Sequence, residues 1–524
     1  MLRSKPRLSF CGLSIILSNQ SRFDKTALLT CTGGSLFNNY CLRPELNSMM
    51  CDIRLTEDRT PFLPGTKCIL LLGEAAMHDW LPETRGNTLN EMRGSVFYWN
   101  KIPCIPSFFP QDAADAKAWE QTTNPLSKEY SPESDDYEKE EAEDIDSTKK
   151  LGRTKRSNYG FWLRADVRKA KFLIKEGRPP TVERPRYITY PDPQQVINVL
   201  RINKNKFFYL DIETDYENLQ CFSFTFDGLS VYNIPILDFN YYPAYSCLPA
   251  VLASLAIAIR DNIVVAHNGA NFDFFVLSSK YKIPFYRVYD TMIAQHRAFP
   301  DIEKPLGHCT SLHTWERFHK DQDSKGYQTR DQMMARLAYC GKDVFTMFLV
   351  HQAIDKYAKT IPGLSSSIDT AQSHIIPYLT VTLQGMRYNQ CKLEIIKREN
   401  DRLMGWYLHF ISILIGPSGM ESVRHSVKGR AKGLPGSNTQ CCHYFHELLG
   451  YPTVVPRSQK TGKPSLGKKA MFLLALKHNN PVITFTLMYR ILAKETGSLK
   501  FVPWRGDDNK IINYGNWIQA TTQA

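Results

Sequence analysis

Residues 207–215, FFYLDIETD, place two carboxylates directly after a run of four apolar residues. Every second side chain of a β-strand leaves the same face, so Asp211 and Glu213 would share one face of a buried strand. Two such carboxylates repel each other and are costly to desolvate, and a hard divalent cation with oxygen ligands fits between them. The same nine residues also allow a strand that ends at Leu210, followed by a solvated turn.

Two later stretches place further acids beside predicted secondary structure. Residues 263–277, IVVAHNGANFDFFVL, indicate an apolar strand, a polar turn and a helix that opens at Asp273. Residues 331–350, DQMMARLAYCGKDVFTMFLV, indicate a helix in which Tyr339 and Asp343 are four apart and share one face. The sequence therefore predicts a site with four carboxylates and one phenol.

Three spaced motifs carry these side chains, in the order DxE, N-x-x-x-x-D and Y-x-x-x-D. Together they resemble the tyrosine subclass of the DEDD (DnaQ-like) 3′–5′ exonucleases. The resemblance implies an α/β domain with a ribonuclease H-like fold, a mixed sheet with flanking helices, over residues 197–365.

The resemblance also implies a chemistry for the site, the hydrolysis of a phosphodiester with two metal ions. Two Mg²⁺ or Mn²⁺ ions would be held by Asp211, Glu213, Asp273 and Asp343. Tyr339 would orient the attacking water, so no histidine base is required. Thr214 and Asn268, next to the acids, are candidates for holding the terminal nucleotide.

A wider likeness surrounds the motifs. Residues 289–315 are similar to the connecting stretch of bacteriophage family A DNA polymerases, and a looser resemblance covers roughly 207–520. It implies a proofreading exonuclease of viral DNA replication, acting on single-stranded and primer-template DNA. Its expected location is intracellular, in the cytoplasm of a bacterial host, and not secreted.

The final third of the chain carries the excess of positive charge. The whole chain has 65 Lys and Arg against 52 Asp and Glu, but residues 422–494 have twelve basic residues and a single acid, Glu447. A region of one sign is typical of a groove for phosphate backbones, although a merely soluble basic face has the same composition. The candidate phosphate-binding residues are Lys460, Lys463, Lys468 and Lys469.

Residues 366–510 are predicted to form a helical region that resembles a polymerase thumb, through the stretch 461–500. Its second helix would pack through Ile483, Leu487 and Ile491, which are four apart. Residues 511–524 resemble the start of a palm, and neither a DYSQIE-like nor an HDE-like motif follows. We therefore expect a separate polypeptide to supply palm and fingers, with a truncated relic as the alternative.

The first 127 residues predict another α/β domain. Residues 66–73, TKCILLLG, read as a buried strand that runs into a turn. The start of the chain, MLRSKPRLSFCGLSIIL over 1–17, favours a first strand over a signal peptide. With residues 102–115, this opening resembles uracil-DNA glycosylase-like domains. Such an enzyme flips a base into a pocket, but no residue here is identified as its catalyst. The sequence favours a non-catalytic module for binding or spacing.

Residues 128–156 predict a disordered linker. Ten acids and one lysine occupy 129–146, followed by five basic residues, and such a composition buries too little apolar surface to fold. These charges are either simply solvated or an acidic strip that competes with DNA for a basic groove. A connector over 157–196, with a helix near 163–175, leads to the exonuclease domain.

Inside that domain, strands near 219–226 and 229–236 are expected to form a hairpin at Asp227-Gly228. A helix over 248–260 and a strand over 263–266 follow. Other nearby acids lack motif positions and are predicted to be surface residues or helix caps; they are Asp290, Asp301, Asp321 and Asp323.

Composition excludes some other classes. The thirteen cysteines show no paired spacing typical of zinc sites, and no apolar run approaches the ~20 residues that span a bilayer. Two other functions fit the residues, an RNA-trimming exonuclease and a non-catalytic DNA-binding clamp. The same carboxylates serve both sugars, and no residue recognisably reads a 2′-hydroxyl.

Overall fold

A computed structural model gives the fold of this chain. It describes residues 10–17, 37, 42, 46, 50–110, 159–215, 218–317, 328–384, 386–387, 389–422, 425–427, 430–432, 434–451, 466–498 and 510–511. Two compact units divide the chain. Among the described residues, the first unit comprises those up to 383 and the second comprises those from 384 to 511. The predicted linker at 128–156 lies outside the described residues.

The described strands are short and fall into two large sheets and two small ribbons. Their bounds are β1 Phe10–Leu17, β2 Met50–Leu55, β3 Cys68–Leu72, β4 Phe97–Trp99, β5 Ile102–Ser107, β6 Arg186–Thr189, β7 Phe207–Asp215, β8 Asn218–Thr225, β9 Ser230–Pro235, β10 Ile263–Ala266, β11 Val288–Asp290, β12 Met386–Arg387, β13 His425–Val427, β14 Arg430–Lys432 and β15 Lys510–Ile511.

The described helices range from single turns to an unbroken helix of 29 residues, whereas the helical stretch Gln390–Ser422 is interrupted by non-helical backbone at Gly416. Their bounds are α1 Glu74–Trp80, α2 Leu89–Met92, α3 Tyr159–Glu176, α4 Pro193–Ile202, α5 Leu248–Asp261, α6 Asp273–Tyr281, α7 Thr291–Ala298, α8 Leu306–His313, α9 Arg330–Ala358, α10 Leu364–Ser373, α11 Ile375–Gln384, α12 Gln390–Ser422, α13 Asn438–Cys442, α14 Lys468–Lys477 and α15 Pro481–Ser498. None of those long enough to cross a bilayer is sufficiently apolar to do so.

The first sheet has the strand order β2-β1-β3-β5-β4, and its first four strands run parallel. All five residues of β3 are buried, as expected for a central parallel strand covered on both faces. Helix α3 packs on this sheet through Trp162, Val167, Leu173 and other apolar side chains. The strand predicted within 66–73 and the helix predicted near 163–175 are both confirmed. This helix packs into the core of the first sheet.

A buried ion pair fastens α3 to the first sheet. Arg93 NH1 donates to Asp166 Oδ1 over 2.9 Å, and both side chains are almost fully buried. One turn further along α3, Lys169 Nζ donates to the carbonyl oxygens of Gly94 and Thr314, each over 2.8 Å. Since Thr314 follows α8, α3 joins the first sheet to a segment that packs beside the second one.

The second sheet is mixed, with the order β11-β10-β7-β8-β9-β6. Strands β7, β8 and β9 are antiparallel neighbours, whereas β10 runs parallel to both β7 and β11. The hairpin turn at Asp227-Gly228 is confirmed: Asp227 Oδ1 accepts the backbone N–H of Leu229 over 2.8 Å, and Gly228 has φ 74°. The predicted helix over 248–260 and the strand over 263–266 are confirmed as well.

Helix α9 crosses the second sheet and lies against β7, β8 and β9. Its close approach depends on Gly341, because a Cβ at this position would come within 2.3 Å of Asn233 Oδ1 on β9. Thr329 caps the helix by accepting the backbone N–H of Gln332 over 3.3 Å. The helix predicted over 331–350 is therefore confirmed, and it extends to Ala358.

The second unit has its own helical core. Helices α12, α14 and α15 pack together around Ile411, Met471, Leu474 and Ile483. Ile483 is fully buried and Leu487 packs beside it, which confirms the first half of the predicted apolar stripe. The resemblance of this region to a polymerase thumb, the ribonuclease H-like order of the second sheet and the domain boundaries remain predictions.

Candidate active site

Three carboxylates meet where α9 lies on β7. Asp211, Glu213 and Asp343 each offer an oxygen, and these oxygens all lie within 4.8 Å of one another. The two strand acids are half-buried, and Asp343 is buried. Carboxylate oxygens at this spacing match the ligand preference of a hard divalent cation such as Mg²⁺ or Mn²⁺. The three side chains fit the metal expected from the sequence.

The pleat of β7 explains why the two strand acids point the same way. The strand continues to Asp215, so the alternative in which it ends at Leu210 is wrong. Its neighbour β8 carries one extra residue, because Glu213 pairs with Cys221 and Thr214 with Leu219. The alternation of β7 itself is uninterrupted, and Asp211, Glu213 and Asp215 leave one face.

Asp273 lies beside these acids but outside the group of three. Its Oδ1 accepts the backbone N–H of Ile212, between the two strand acids, over 3.0 Å. Burial raises the pKa of Asp273 to about 8, which favours the protonated carboxyl near neutral pH. Asp273 is therefore placed to support β7, and its role as a ligand of a second ion remains a prediction.

Tyr339 is buried, with 6% of its surface exposed, and it lies one turn before Asp343 on α9. Both residues stand on a long helix that packs against the sheet, so their relative position is set by the helix itself. A phenol can both donate and accept a hydrogen bond. Tyr339 therefore has the chemistry expected of a group that orients a water molecule.

Arg336 was not singled out by the sequence motifs, although it precedes Tyr339 by three residues. Its NH2 donates to Glu213 Oε2 over 2.8 Å and to the backbone carbonyl of Thr214 over 3.2 Å. Only 5% of the arginine side chain is exposed. One guanidinium nitrogen thus holds both the carboxylate and the backbone of the strand next to it. The three-residue spacing, which places Arg336 and Tyr339 on neighbouring parts of one helix face, was the available signal.

Cys340 makes a second contact from α9 to the strand acids. Its Sγ lies 3.3 Å from Asp211 Oδ2 and 3.5 Å from the carbonyl oxygen of Asp211. Burial raises the pKa of the Cys340 thiol well above its usual range, so the sulfur remains protonated and can donate. Cys340 and Arg336 therefore each hold one of the two strand acids.

Asp290 organises the polar turn that precedes Asp273. The sequence predicted a surface residue or a helix cap at this position. Asp290 does cap α7, but it is fully buried. Its carboxylate accepts the backbone N–H groups of Asn268 and Ala270, each over 3.0 Å. Burial raises the pKa of Asp290, while these N–H donors oppose that shift.

Only some of the residues predicted to bind substrate lie in the described part of the chain, and these are divided between the two units. Thr214 lies beside Glu213, and Asn268 accepts a hydrogen bond from the side chain of Asn271 over 2.8 Å. Lys468 is exposed at the start of α14, where Lys469 follows it. Lys460 and Lys463 lie outside the described residues.

One member of the basic region has a structural role. Arg490 donates from Nε to the carbonyl of Pro435 and from NH1 to the carbonyl of Leu466, each over 2.9 Å. These contacts tie α15 to two loops of the second unit. Arg490 is therefore engaged by the protein and does not belong with the candidate phosphate-binding lysines.

Comparison with known proteins gives distant structural likenesses alone. No known protein family and no curated protein matches the chain. Among solved structures, the POL domain of Pol1 from M. smegmatis, in complex with DNA primer-template and dNTP, is similar over 62% of this chain, with 14% identity and a TM-score of 0.42. The catalytic core of RRP6 from Trypanosoma brucei is similar over 38%, with 13% identity and a TM-score of 0.30.

A nuclease in its apo form is similar over 39% of this chain and 95% of its own length, with 17% identity and a TM-score of 0.31. The chain spans about half the length of the other two structures, 52% and 54%. Likenesses with TM-scores this low do not indicate a function, so the function is inferred from the residues of the site.

Proposed function

We propose that this chain is a metal-dependent 3′–5′ exonuclease that acts on DNA. The observation that carries the proposal is the convergence of Asp211, Glu213 and Asp343 within 4.8 Å, with Tyr339 one turn from Asp343. Three carboxylates this close repel one another, which costs stability unless cations or hydrogen-bond donors lie among them. A site built to bind cations gains from that arrangement.

Asp211, Glu213 and Asp343 would hold the cation or cations, with Asp273 as the proposed further ligand if two are bound. When bound, divalent cations at such a site supply an acidified water and neutralise charge on the phosphate. The protein contributes fixed positions, because the ligands stand on a strand and on a long helix rather than on loops.

Tyr339 would hold the attacking water in line with the phosphorus, through its phenol oxygen. Arg336 would keep Glu213 in its binding orientation, through the bond of 2.8 Å to Oε2. The guanidinium also offsets part of the negative charge that an incoming phosphate meets. With the cation supplying an acidified water, these side chains would bind and orient the reactants, and no histidine base is required.

The test is hydrolysis of a 5′-labelled single strand of DNA in the presence of Mg²⁺. The parent chain should shorten the strand stepwise from its 3′ end, and Asp211→Asn should lower the rate by about a thousandfold or more, or roughly 4 kcal/mol. Asp355→Asn is a matched control, because Asp355 is half-exposed on the same helix as Asp343 and pairs with Lys359 rather than with the site. An unchanged rate in Asp211→Asn would contradict the proposal.

The proposals that the substrate is DNA and that cleavage starts at the 3′ end rest on the resemblance of residues 289–315 to polymerases. The geometry of the site does not distinguish these choices. A matched RNA strand and a 3′-labelled strand complete the assay. A clear preference for RNA would favour the RNA-trimming alternative, and release of label from the 5′ end would overturn the polarity. The docking of a separate palm and fingers polypeptide remains a prediction from the sequence.

A further inference from the structure

Three acids alternate along β7, and each is contacted by a different side chain. Cys340 lies over Asp211, and Arg336 lies over Glu213. At the other end, Asp215 Oδ2 accepts a hydrogen bond from Tyr241 Oη. Because Asp215 leaves the same face of β7 as Glu213, Tyr241 stands next in line beyond the metal-binding acids.

The turn that carries Tyr241 is tightly held. Asp238 Oδ1 accepts the backbone N–H groups of Asn240 and Tyr242 over 2.8 and 2.9 Å. The carbonyl of Asp238 accepts the N–H of Tyr241 over 3.0 Å. Tyr241 has φ 64°, in the left-handed region that large side chains rarely adopt. Such strain is retained where the surrounding structure imposes it, and it occurs most often at functional sites.

Three aromatic side chains of this turn remain in contact with solvent. Phe239 is 36% exposed, Tyr241 is 40% exposed and Tyr242 is 69% exposed. The phenol of Tyr241 is anchored to Asp215 while its ring stays partly exposed. An aromatic ring that is anchored and still exposed loses little conformational freedom when a flat group stacks on it.

Charge indicates which part of a nucleic acid this turn would meet. Phosphates are repelled by the carboxylate of Asp215, whereas the uncharged face of a nucleobase is not. Aromatic rings bind bases of single strands by stacking, with little dependence on base identity. In a duplex both faces of a base are already stacked, so the turn suits an unpaired end.

We propose that Tyr241, with Tyr242 beside it, forms a stacking platform for a base near the 3′ end of a single-stranded substrate. This inference rests on the proposed nuclease function and names its substrate class, an unpaired end without base preference. Tyr241 selects an unpaired end over a duplex, whereas the carboxylates hold the cations that hydrolysis requires.

The test measures, by fluorescence anisotropy, how tightly short 5′-labelled single strands bind to the full chain. The chain carries Asp211→Asn so that it does not cleave the strands. Each base near the 3′ end is removed in turn by placing one abasic residue in a six-nucleotide strand. One position should weaken binding about fivefold or more in this chain. The same abasic position should cost nothing once Tyr241→Ala is also present, since the base and the ring are then both absent.

Further variants separate stacking from folding. Tyr241→Phe keeps the ring and should retain the dependence on that base, and Tyr241→Leu keeps the bulk but should lose it. Tyr286→Ala, which removes an exposed tyrosine elsewhere, should behave like the parent. If Tyr241→Ala only disturbed the fold, it would weaken the binding of every strand equally, and the abasic position would still matter. If both Tyr241→Ala and Tyr241→Leu gave this result, the proposed stacking on Tyr241 would be wrong.

Failure of the nuclease proposal is distinguishable from failure of this one. The hydrolysis assay on the parent chain tests the carboxylates, whereas the abasic profile tests the ring in a chain that need not cleave. Normal hydrolysis with an abasic profile that Tyr241→Ala leaves unchanged would reject the stacking platform alone.

Discussion

Gly341 lies so close to Asn233 that a Cβ on the glycine would come within 2.3 Å of Asn233 Oδ1. Asn233 cannot withdraw, because it is fully buried and its amide is bonded to Ser223 Oγ over 2.9 Å and to Thr189 Oγ1 over 3.0 Å. The helix that carries Tyr339 and Asp343 therefore owes its distance from the sheet to the missing side chain.

Gly341→Ala should move this helix away from β9. We expect a loss of about 1–3 kcal/mol in the free energy of unfolding, as for other overpacked cores, together with reduced hydrolysis. Urea unfolding and the DNA assay measure the two effects. Gly405→Ala on α12 is the matched control, because nothing lies within 4 Å of its added Cβ, and it should be neutral or stabilising.

Arg336→Met should weaken metal binding, because Glu213 loses the donor that holds it. We expect about a 10–100-fold loss in affinity for Mn²⁺ or in activity, measured by calorimetry and by DNA hydrolysis. Arg336→Lys keeps the charge and should lose less. Arg330→Met removes an exposed arginine from the first turn of the same helix and should match the parent. Unaltered Mn²⁺ affinity and activity in Arg336→Met would refute this role.

Mn²⁺ or Mg²⁺ should raise the melting temperature of the parent chain, because an ion that binds only the folded protein stabilises it. The gain is about 2.7 kcal/mol when the ion is present at 100 times its Kd. Asp211→Asn and Asp343→Asn should each abolish most of the shift, whereas Asp355→Asn should preserve it. An equal shift in all three variants would place the ion elsewhere.

Asp166→Asn should destabilise the first unit strongly. The change leaves Arg93 charged and buried without its carboxylate, and broken buried pairs cost about 3–5 kcal/mol. Urea unfolding followed by tryptophan fluorescence is suitable, since Trp162 lies 3.7 Å from the guanidinium of Arg93. The double change Arg93→Met with Asp166→Leu removes both charges and should cost less than Asp166→Asn alone.

Two histidines should make the protein sensitive to acid, the buried His351 and the half-buried His313. Burial lowers the pKa of His313 and of His351 to about 4 in the folded chain, from an ordinary value of 6.5. Between these values the unfolded chain binds protons that the folded chain refuses, so the free energy of unfolding falls as pH decreases. The slope is up to about 1.4 kcal/mol per pH unit for each histidine.

The measurement is urea unfolding at several pH values from 7 to about 4. His351→Gln should make the dependence on pH shallower, although the loss of its bond to Tyr209 Oη will lower stability at every pH. His374→Gln removes an exposed histidine and is the matched control. A slope that His351→Gln does not change would exclude this histidine as a source of the acid sensitivity.

The sequence alone determined the local elements that carry the site. The apolar run before Asp211, the polar turn before Asp273 and the four-residue spacing of Tyr339 and Asp343 each depend on near neighbours in the chain. Strand alternation and helix periodicity therefore predicted which side chains share a face. The Asp227-Gly228 hairpin could be predicted for the same reason, because turn geometry is a property of a few residues.

Only the tertiary structure decided how distant residues meet. Arg336 and Glu213 are 123 positions apart, and no periodicity links them; their contact exists because α9 packs on β7 at the distance that Gly341 allows. Burial likewise decided the chemistry of Asp273 and Asp290, since a carboxylate that looks ordinary at the start of a helix acquires a raised pKa once water is excluded. Local pattern specifies faces and turns, whereas packing specifies partners and solvation, and these complete the site.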